Sequence, residues 1–105
     1  MTLLEEHVNR FNEGVRTGDW SRMLEQFTDD VELVFQGIPV GPFRGREAIE
    51  AAYRAQPPDD GIVLLEDDGE AGVYAWERSP AVRAGELRLD VEQNRVRRVT
   101  VVYER

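Results

Sequence analysis

The segment from Phe27 to Tyr53 constrains the fold most, because it joins a helical first third of the chain to a strand-rich remainder. An apolar strand is predicted from Val31 to Phe35, and it breaks at Gly37. A turn rich in Pro and Gly follows, after which a helix begins near Arg46. Helical patterns before this segment and strand patterns after it together predict an α+β domain.

The sequence predicts where the first helix begins and where it ends. Thr2 and Glu5 have the Thr-x-x-Glu spacing of a capping box, and Gly18 is a typical residue just past a helix end. Apolar residues recur every three or four positions between them, as expected for one face of a helix. That face comprises Leu4, Val8, Phe11 and Val15.

Two further helices are predicted in the first half. Asp19 is a good N-cap for the second helix. Its apolar face comprises Trp20, Met23, Leu24 and Phe27. The third helix is expected from Arg46 to Ala55, ahead of two prolines that end it. The apolar faces of the three helices should be buried. They include Phe11, Trp20, Leu24, Phe27, Ile49 and Tyr53.

Strand patterns dominate the chain beyond Asp60. The apolar runs 62–65 and 73–78 flank an acidic turn at Asp67-Asp68-Gly69, which predicts a hairpin. Leu87, Leu89 and Val91 then alternate with charged residues, and a turn at Gln93-Asn94 leads to a last strand over 95–104. Three helices and about five strands predict one α+β domain over residues 1–105. Its sheet should be mainly antiparallel and covered by helices on one face.

Composition excludes several functional classes. The chain has no cysteine and one histidine, so disulfides, thiolate nucleophiles and a transition-metal site are not expected. A formal net charge of -8 argues against a nucleic-acid partner. No apolar run approaches the roughly 18 residues of a membrane span, and the start MTLLEEHV lacks a basic leader. A cytoplasmic protein without cofactor is therefore expected.

Four stretches of the first half carry a resemblance to a known superfamily. They read FNEGVRTGDWSRMLEQF, TDDVELVF, PVGPFRG and REAIEAAY. In these the chain resembles the nuclear transport factor 2-like superfamily, which includes ketosteroid isomerases and SnoaL-type polyketide cyclases. The resemblance implies a cone in which a curved sheet wraps around the helices and leaves a pocket between them. It also implies a homodimer formed through the sheet.

The catalytic residues of the ketosteroid isomerases are not retained in this chain. The resemblance places Phe11 where those enzymes have a tyrosine, Phe35 or Gln36 at their base, and Leu87 near their second acid. None of these side chains can move a proton at neutral pH. Steroid-type isomerisation by that mechanism is therefore not expected.

Two other branches of the superfamily fit no better. Limonene-epoxide hydrolases use an Arg-x-Asp motif, whereas Arg78-Ser79-Pro80 keeps only the arginine. Scytalone dehydratase has histidines in its pocket. The single histidine here, His7, is expected to be partly exposed or packed rather than catalytic.

The remaining candidates are aromatic and polar side chains that could line such a pocket. We expect ligand contacts from the following residues: Phe11, Phe35, Gln36, Tyr53, Trp76, Arg78 and Leu87. Alternatively, Trp76 belongs to the core or a dimer interface and Arg78 to a solvated rim. Glu32 and Glu77 are weak candidates for a general base, which would require burial to raise the carboxyl pKa. Which side of the strand around Tyr74 faces inward stays open.

Three functional hypotheses follow. The chain is a pocket protein that transforms a small apolar or carbonyl-bearing metabolite as an isomerase, dehydratase or cyclase. Alternatively, it binds such a molecule without catalysis, or it is a dimerisation or interaction module whose cone is packed shut. An open pocket would separate the first two hypotheses from the third.

Overall fold

The computed structural model describes residues 1–104. Its elements, in chain order, are α1 (Leu3–Thr17), α2 (Ser21–Glu25), β1 (Phe27–Gln36), β2 (Phe43–Arg44), α3 (Arg46–Ala55), β3 (Ile62–Asp67), β4 (Ala71–Trp76), β5 (Gly85–Glu92) and β6 (Arg95–Tyr103). The α+β class is confirmed. The three helices and the long hairpins lie where the residue patterns predict them, within a few residues.

One six-stranded sheet of order β2-β1-β6-β5-β4-β3 carries the fold. All neighbouring strands are antiparallel except β1 and β6, which run parallel. The sheet is therefore mainly antiparallel, as expected, and mixed through this one parallel pair. The parallel pair arises because the last strand returns to the middle of the sheet and pairs with the first.

The beginning of β1 corrects one expectation. The apolar spacing predicts Phe27 as part of the second helix, but α2 ends at Glu25 and Phe27 is the first residue of β1, opposite Val96 of β6. The Val96 N–H donates to the Gln26 carbonyl at 2.9 Å, which starts the ladder there. Phe27 is nevertheless buried, with 2% of its surface exposed, because it faces the same core from the sheet.

A second correction concerns the Pro/Gly turn. Phe43 and Arg44 form the short strand β2 against Leu33 and Glu32, where the pattern predicted only a turn. Strands that are two residues long have no alternation of their own, so no periodicity could reveal this one.

Several contacts fix α1 across the sheet. The Thr2 hydroxyl accepts from the Glu5 N–H at 3.0 Å, as the capping pattern predicts, and donates to Asp67 at 2.6 Å. Asn12 binds both backbone groups of Ile62 in β3, at 2.8 and 2.9 Å. The helix is therefore tied to an edge strand at its start and in its middle.

The helix α3 is anchored to β1 at its first turn. Arg46 donates to the Phe27 carbonyl, with its shorter contact at 2.6 Å, and also pairs with Asp29. The Gly45 N–H donates to the Val31 carbonyl at 2.7 Å. This anchoring sets the direction in which α3 presents Tyr53 near its last turn.

The buried core lies between the helices and one face of the sheet. Leu4, Trp20, Phe27 and Ile49 are all at most 3% exposed, and Leu87 and Leu89 reach the same core from β5. The outward side chains of β5 are charged and pair with one another or with β6, for example Arg98 with Asp90 at 3.6 Å. The alternation predicted for β5 is therefore confirmed.

Burial is incomplete for three members of the predicted set, because Phe11, Leu24 and Tyr53 are only partly buried. For Phe11 and Tyr53 the reason is that both border an internal cavity. Among residues 1–104, no helix is both long enough and apolar enough to cross a membrane.

Candidate functional site

A cavity of about 410 Å³ lies between the helices and the inward face of the sheet. Its lining residues come from α1, α3, the loops after β1 and α3, and strands β1 to β6. They include His7, Phe11, Phe35, Phe43, Tyr53, Tyr74, Trp76, Leu87, Val101 and Tyr103. Aliphatic side chains fill the gaps between the rings, so the wall is mainly apolar. This volume falls within the range of about 300 to 1,000 Å³ that is typical of ligand pockets.

The helical wall is built from stacked rings. Tyr53 of α3 stacks on Trp20 with ring centroids 4.6 Å apart, and its edge faces Phe11 of α1 at 6.0 Å. Trp20 can reach this position because Gly14 has no side chain; a Cβ there would overlap the indole ring. The stack holds the Tyr53 ring in a defined orientation at the cavity.

Inward side chains of β1, β4 and β6 form the sheet wall. The Tyr103 ring lies 6.3 Å from Phe35 and 6.4 Å from Trp76, and Trp76 meets Tyr74 edge-on at 5.8 Å. These contacts show that Tyr74 and Trp76 share the inward side of β4. Of the two orientations left open for this strand, the structure has the one with the aromatic side inward.

His7 is the one imidazole of the chain, and it lines the cavity from α1. Only 5% of its surface is exposed, its ring lies 5.8 Å from Phe27, and its Nδ1 has no hydrogen-bond partner among residues 1–104. Burial lowers the pKa of His7 from 6.5 to about 4; the nearby Gln26 side chain opposes this shift and the positive charge of Arg10 adds to it. At neutral pH the cavity therefore contains an uncharged imidazole.

All three tyrosines of the chain also line the cavity. Burial raises the pKa of Tyr53, Tyr74 and Tyr103 above the usual value near 10, and the proximity of Tyr103 raises the pKa of the other two further. The phenols are therefore neutral and can donate hydrogen bonds at neutral pH. The Tyr74 hydroxyl is enclosed and has no partner within the described part of the chain.

Five of the predicted ligand contacts are brought together at this cavity. These are Phe11, Phe35, Tyr53, Trp76 and Leu87. Two are placed elsewhere. Gln36 ends β1 with its side chain exposed, and Arg78 lies two residues beyond the end of β4. Arg78 approaches Asp60 at 3.4 Å and Asp59 at 3.6 Å, with 64% of its side chain exposed. The strand ends too early for its alternation to carry Arg78 inward.

The two carboxylates considered as bases lie outside the lining as well. Glu32 is on the outer face of the sheet, where Arg98 and Arg44 bind its two oxygens at 2.9 and 3.0 Å. The hydrogen bond from Arg98 contributes most to lowering the pKa of Glu32, which is opposite to the shift a general base would need. Glu77 is exposed beyond β4.

Sequence reasoning missed His7 and Tyr103 as cavity residues, whereas it placed Tyr74 on the aromatic side of β4 and left open whether that side faces inward. Tyr103 carried a usable signal, because it continues the inward alternation of Val99 and Val101 along β6. His7 lies three residues after Leu4 and four before Phe11, so helical spacing places it on the apolar face of α1; that this face borders a cavity is decided by the tertiary packing. Asp59 is the only carboxylate among the lining residues, and no cluster of three metal-ligating side chains occurs within residues 1–104.

Comparisons with known proteins agree with this architecture. A search of curated proteins finds no match. A protein from Sphaerobacter thermophilus is 26% identical, with a TM-score of 0.66 over 98% of this chain and 94% of that one. A computationally designed 17-OHP binder is 17% identical, with a TM-score of 0.69 over 99% and 92%. An NTF2-like protein from Anabaena variabilis is 14% identical, with a TM-score of 0.62 over 98% and 87%.

The match to a family model carries more weight than these structural likenesses, because it rests on the sequence pattern itself. The model of the SnoaL-like domain matches residues 8–91, which include most of α1, the strand–turn–helix segment and the sheet apart from β6. The chain therefore belongs to the SnoaL-like domain family, and it shares its fold with the NTF2-like protein from Anabaena variabilis.

Proposed function

We propose that this protein binds a small, neutral and mainly apolar metabolite that carries a carbonyl or similar polar group. The observation that carries the proposal is the aromatic cavity of about 410 Å³, whose described lining includes no lysine or arginine and a single carboxylate, that of Asp59. At the packing density of protein interiors, near 0.75, it would hold roughly 300 Å³ of ligand.

The open cavity argues against the hypothesis of a cone that is packed shut. A domain that served only to dimerise or to bind another protein would gain stability by filling this space, because an unfilled cavity lined by apolar atoms costs free energy. The aromatic rings instead surround the space and pack against one another. The ligand-binding hypotheses are therefore favoured over a purely structural module.

The charge of the lining favours a neutral ligand. The described cavity residues include no lysine or arginine, and Arg78 is held outside by Asp59 and Asp60. A carboxylate or phosphate buried there would have no counter-charge, so its burial would cost several kcal/mol. Asp59, the one acid of the lining, would also repel an anion.

Binding without catalysis is supported better than turnover. A general base with a pKa near 7 is what proton-transfer chemistry needs, and neither Glu32 nor Glu77 lies at the cavity. Isomerase, dehydratase or cyclase chemistry remains the second candidate because His7 lines the cavity. As a base, however, an imidazole with a pKa of about 4 is weak.

Thermal-shift screening with neutral aromatic and alicyclic ketones tests the proposal. A ligand at 100 times its dissociation constant stabilises the folded protein by about 2.7 kcal/mol. The matched control is Val101→Phe, which adds a ring inside the cavity and should abolish the shift without removing a contact of the fold. Equal shifts in the native protein and in Val101→Phe would place binding elsewhere. No shift with any ketone would count against the proposal.

Incubation with each bound ketone then separates binding from turnover. Unchanged ligand by nuclear magnetic resonance after prolonged incubation is expected for a binding protein, whereas exchange of protons next to the carbonyl would favour the enzymatic candidate. In that case, His7→Gln should abolish the exchange.

We also propose that the protein is a homodimer formed through the outer face of its sheet. Val34, Thr100 and Val102 lie side by side there, with Thr100 only 8% exposed. Paired charges such as Glu32 with Arg98 frame this strip. A two-fold axis through the strip would bury it and leave the charges at the rim, the arrangement common in protein interfaces.

A further inference from the structure

We infer that the loop between β1 and β2 is a lid that controls the passage of ligand between the cavity and solvent. This loop, the strap, comprises residues 37–42, which read GIPVGP. The inference rests on the proposed function, because a lid has a role only where a ligand enters the cavity. It adds the route of entry and the element that moves.

The entrance of the cavity lies between the strap and the loop after α3. Most of the described lining residues are buried or half-buried, and the exposed ones all lie on these two loops. They are Val40 on the strap and Gln56, Pro57 and Asp59 on the opposite side, the rim, which comprises residues 56–60. A ligand therefore passes between the strap and the rim.

The rim is the fixed side of the entrance. The Gln56 N–H donates to a carbonyl in the last turn of α3 at 3.0 Å. Pro57 and Pro58 follow, and each proline ring fixes the φ angle of its residue. The Asp60 carboxylate accepts from the Arg78 N–H at 3.2 Å and approaches the Arg78 guanidinium at 3.4 Å. These contacts hold the rim at both of its ends.

The strap, in contrast, has fixed ends and a weakly held middle. Its ends are set by the paired strands β1 and β2 that flank it. Within the described chain, the single hydrogen bond of residues 37–42 joins the Val40 N–H to the Ile38 carbonyl at 3.0 Å and is internal to the loop. Segments with an exposed and unpaired backbone open locally at a low cost in free energy. The strap is therefore the side of the entrance that can move.

Glycines at two positions of the strap allow it to turn. Gly37 and Gly41 have φ angles of 95° and 72°, in the left-handed region that favours glycine. A Cβ at Gly37 would lie 2.6 Å from the Tyr103 carbonyl oxygen, so this end is packed against β6. A Cβ at Gly41 would meet only the neighbouring Phe43, at 3.3 Å. The Gly41 end is therefore the freer of the two.

The exposure of Val40 indicates what closure would achieve. Among the described cavity residues, Val40 is the one large aliphatic side chain that is mainly in solvent, with 42% of its surface exposed. Movement of the strap toward the rim would bury this surface against a bound ligand and the two prolines, which the hydrophobic effect favours. The structure therefore has the lid in an open position, and ligand binding shifts it toward the closed one.

A reversible tether across the entrance tests the lid. The chain has no cysteine, so Val40→Cys combined with Gln56→Cys gives one thiol on the strap and one on the rim. Bis-methanethiosulfonates of two lengths would join the thiols, before or after loading with the probe fluorenone, a neutral planar ketone. Stopped-flow quenching of tryptophan fluorescence would measure its association and dissociation rates. The tether should slow both rates by about tenfold or more, change their ratio far less, and lose its effect on reduction.

The matched control is the same double variant treated with methyl methanethiosulfonate. It carries comparable added groups but no connection between the two loops, so it separates the tether from the bulk of the reagent. The tethered form should be slower than this control in both directions. Equal rates in the two forms would overturn the lid. Failure of both reagents to join the thiols would also overturn it, since a lid must reach the rim to close.

Amide hydrogen exchange tests the strap without any ligand. The N–H groups of Ile38 and Gly41 have no partner within residues 1–104, whereas the Gly45 N–H just beyond β2 donates to the Val31 carbonyl at 2.7 Å. The two strap amides should therefore exchange far faster than Gly45. Equal protection would overturn the lid and leave the proposed function intact. If fluorenone does not bind the native protein, the lid is overturned as well, and the ketone screen with Val101→Phe decides the proposed function separately.

Discussion

Burial of His7 should make the stability of this protein depend on pH between pH 7 and pH 5. The folded state holds the pKa of His7 at about 4, against 6.5 for an unperturbed histidine. The unfolded chain therefore binds a proton that the folded chain resists, so the free energy of unfolding falls as the pH falls through 6.5.

The size of the effect follows from the two pKa values. Between pH 8 and pH 5 the linkage relation gives a loss of about 2 kcal/mol, and the loss approaches about 3 kcal/mol below pH 4. The chain has no second histidine. Asp19, Glu32 and Glu104 have pKa values that are lowered in the folded state, so they contribute stability at neutral pH, and this contribution is lost only as the pH falls to the usual carboxyl range near pH 4 and below. The window from pH 7 to pH 5 thus isolates His7.

Urea unfolding followed by tryptophan fluorescence would measure this dependence at several pH values. The native protein should lose about 2 kcal/mol between pH 8 and pH 5 with an unchanged dependence on urea. His7→Gln keeps a polar side chain of similar reach but cannot titrate, so its stability should be nearly flat over the same window. The same slope in both proteins, or a flat native profile, would refute the account of His7 as a buried neutral imidazole.

Four further outcomes are expected. Phe27→Ala removes a buried ring and should lower the free energy of unfolding by about 3 to 5 kcal/mol, measured by urea unfolding; a loss below about 1 kcal/mol would contradict its place in the core. Tyr74→Phe removes an enclosed hydroxyl without a partner, so it should leave stability unchanged or raise it by about 1 kcal/mol in the same assay. Arg78→Ala should change neither the melting temperature nor ketone affinity appreciably, because 64% of the Arg78 side chain is exposed and the backbone N–H at this position still donates to Asp60; weaker ketone binding would restore Arg78 as a ligand contact. Light scattering at micromolar concentration should show a dimer, and Thr100→Arg on the outer face should yield monomers, since an interface on the order of 1,200 Å² would then contain a buried charge.

Local signals in the sequence were sufficient for most of the elements. The capping contact of Thr2, the helix end at Gly18 and the turn at Gln93-Asn94 depend on neighbours within a few residues. The inward alternation of Leu87 and Leu89 is likewise written into one strand. The resemblance placed these elements in the correct superfamily, and with it came the expectation of a cavity.

The positions that depend on distant partners were decided by the tertiary structure. Phe27 has the spacing of a helix face, yet it joins β1 because its neighbour Gln26 pairs with Val96 from the far end of the chain. Arg78 matched the inward side of its strand by parity, but β4 ends two residues earlier and nearby acids bind the guanidinium. The sequence pattern places His7 beside an apolar stripe of α1, and only the packing of the sheet against this helix places it at the cavity.

The sequence by itself determined the helices, most strands and the apolar character of the cavity wall, because periodicity and capping act over a few residues of one element. Only the tertiary structure decided which polar groups reach the cavity. That choice depends on where strands end and on which ion pairs form across the fold, and both are settled by contacts between residues far apart in the chain. The tertiary structure places His7 and Tyr103 in the lining of the cavity and Gln36 and Arg78 outside it.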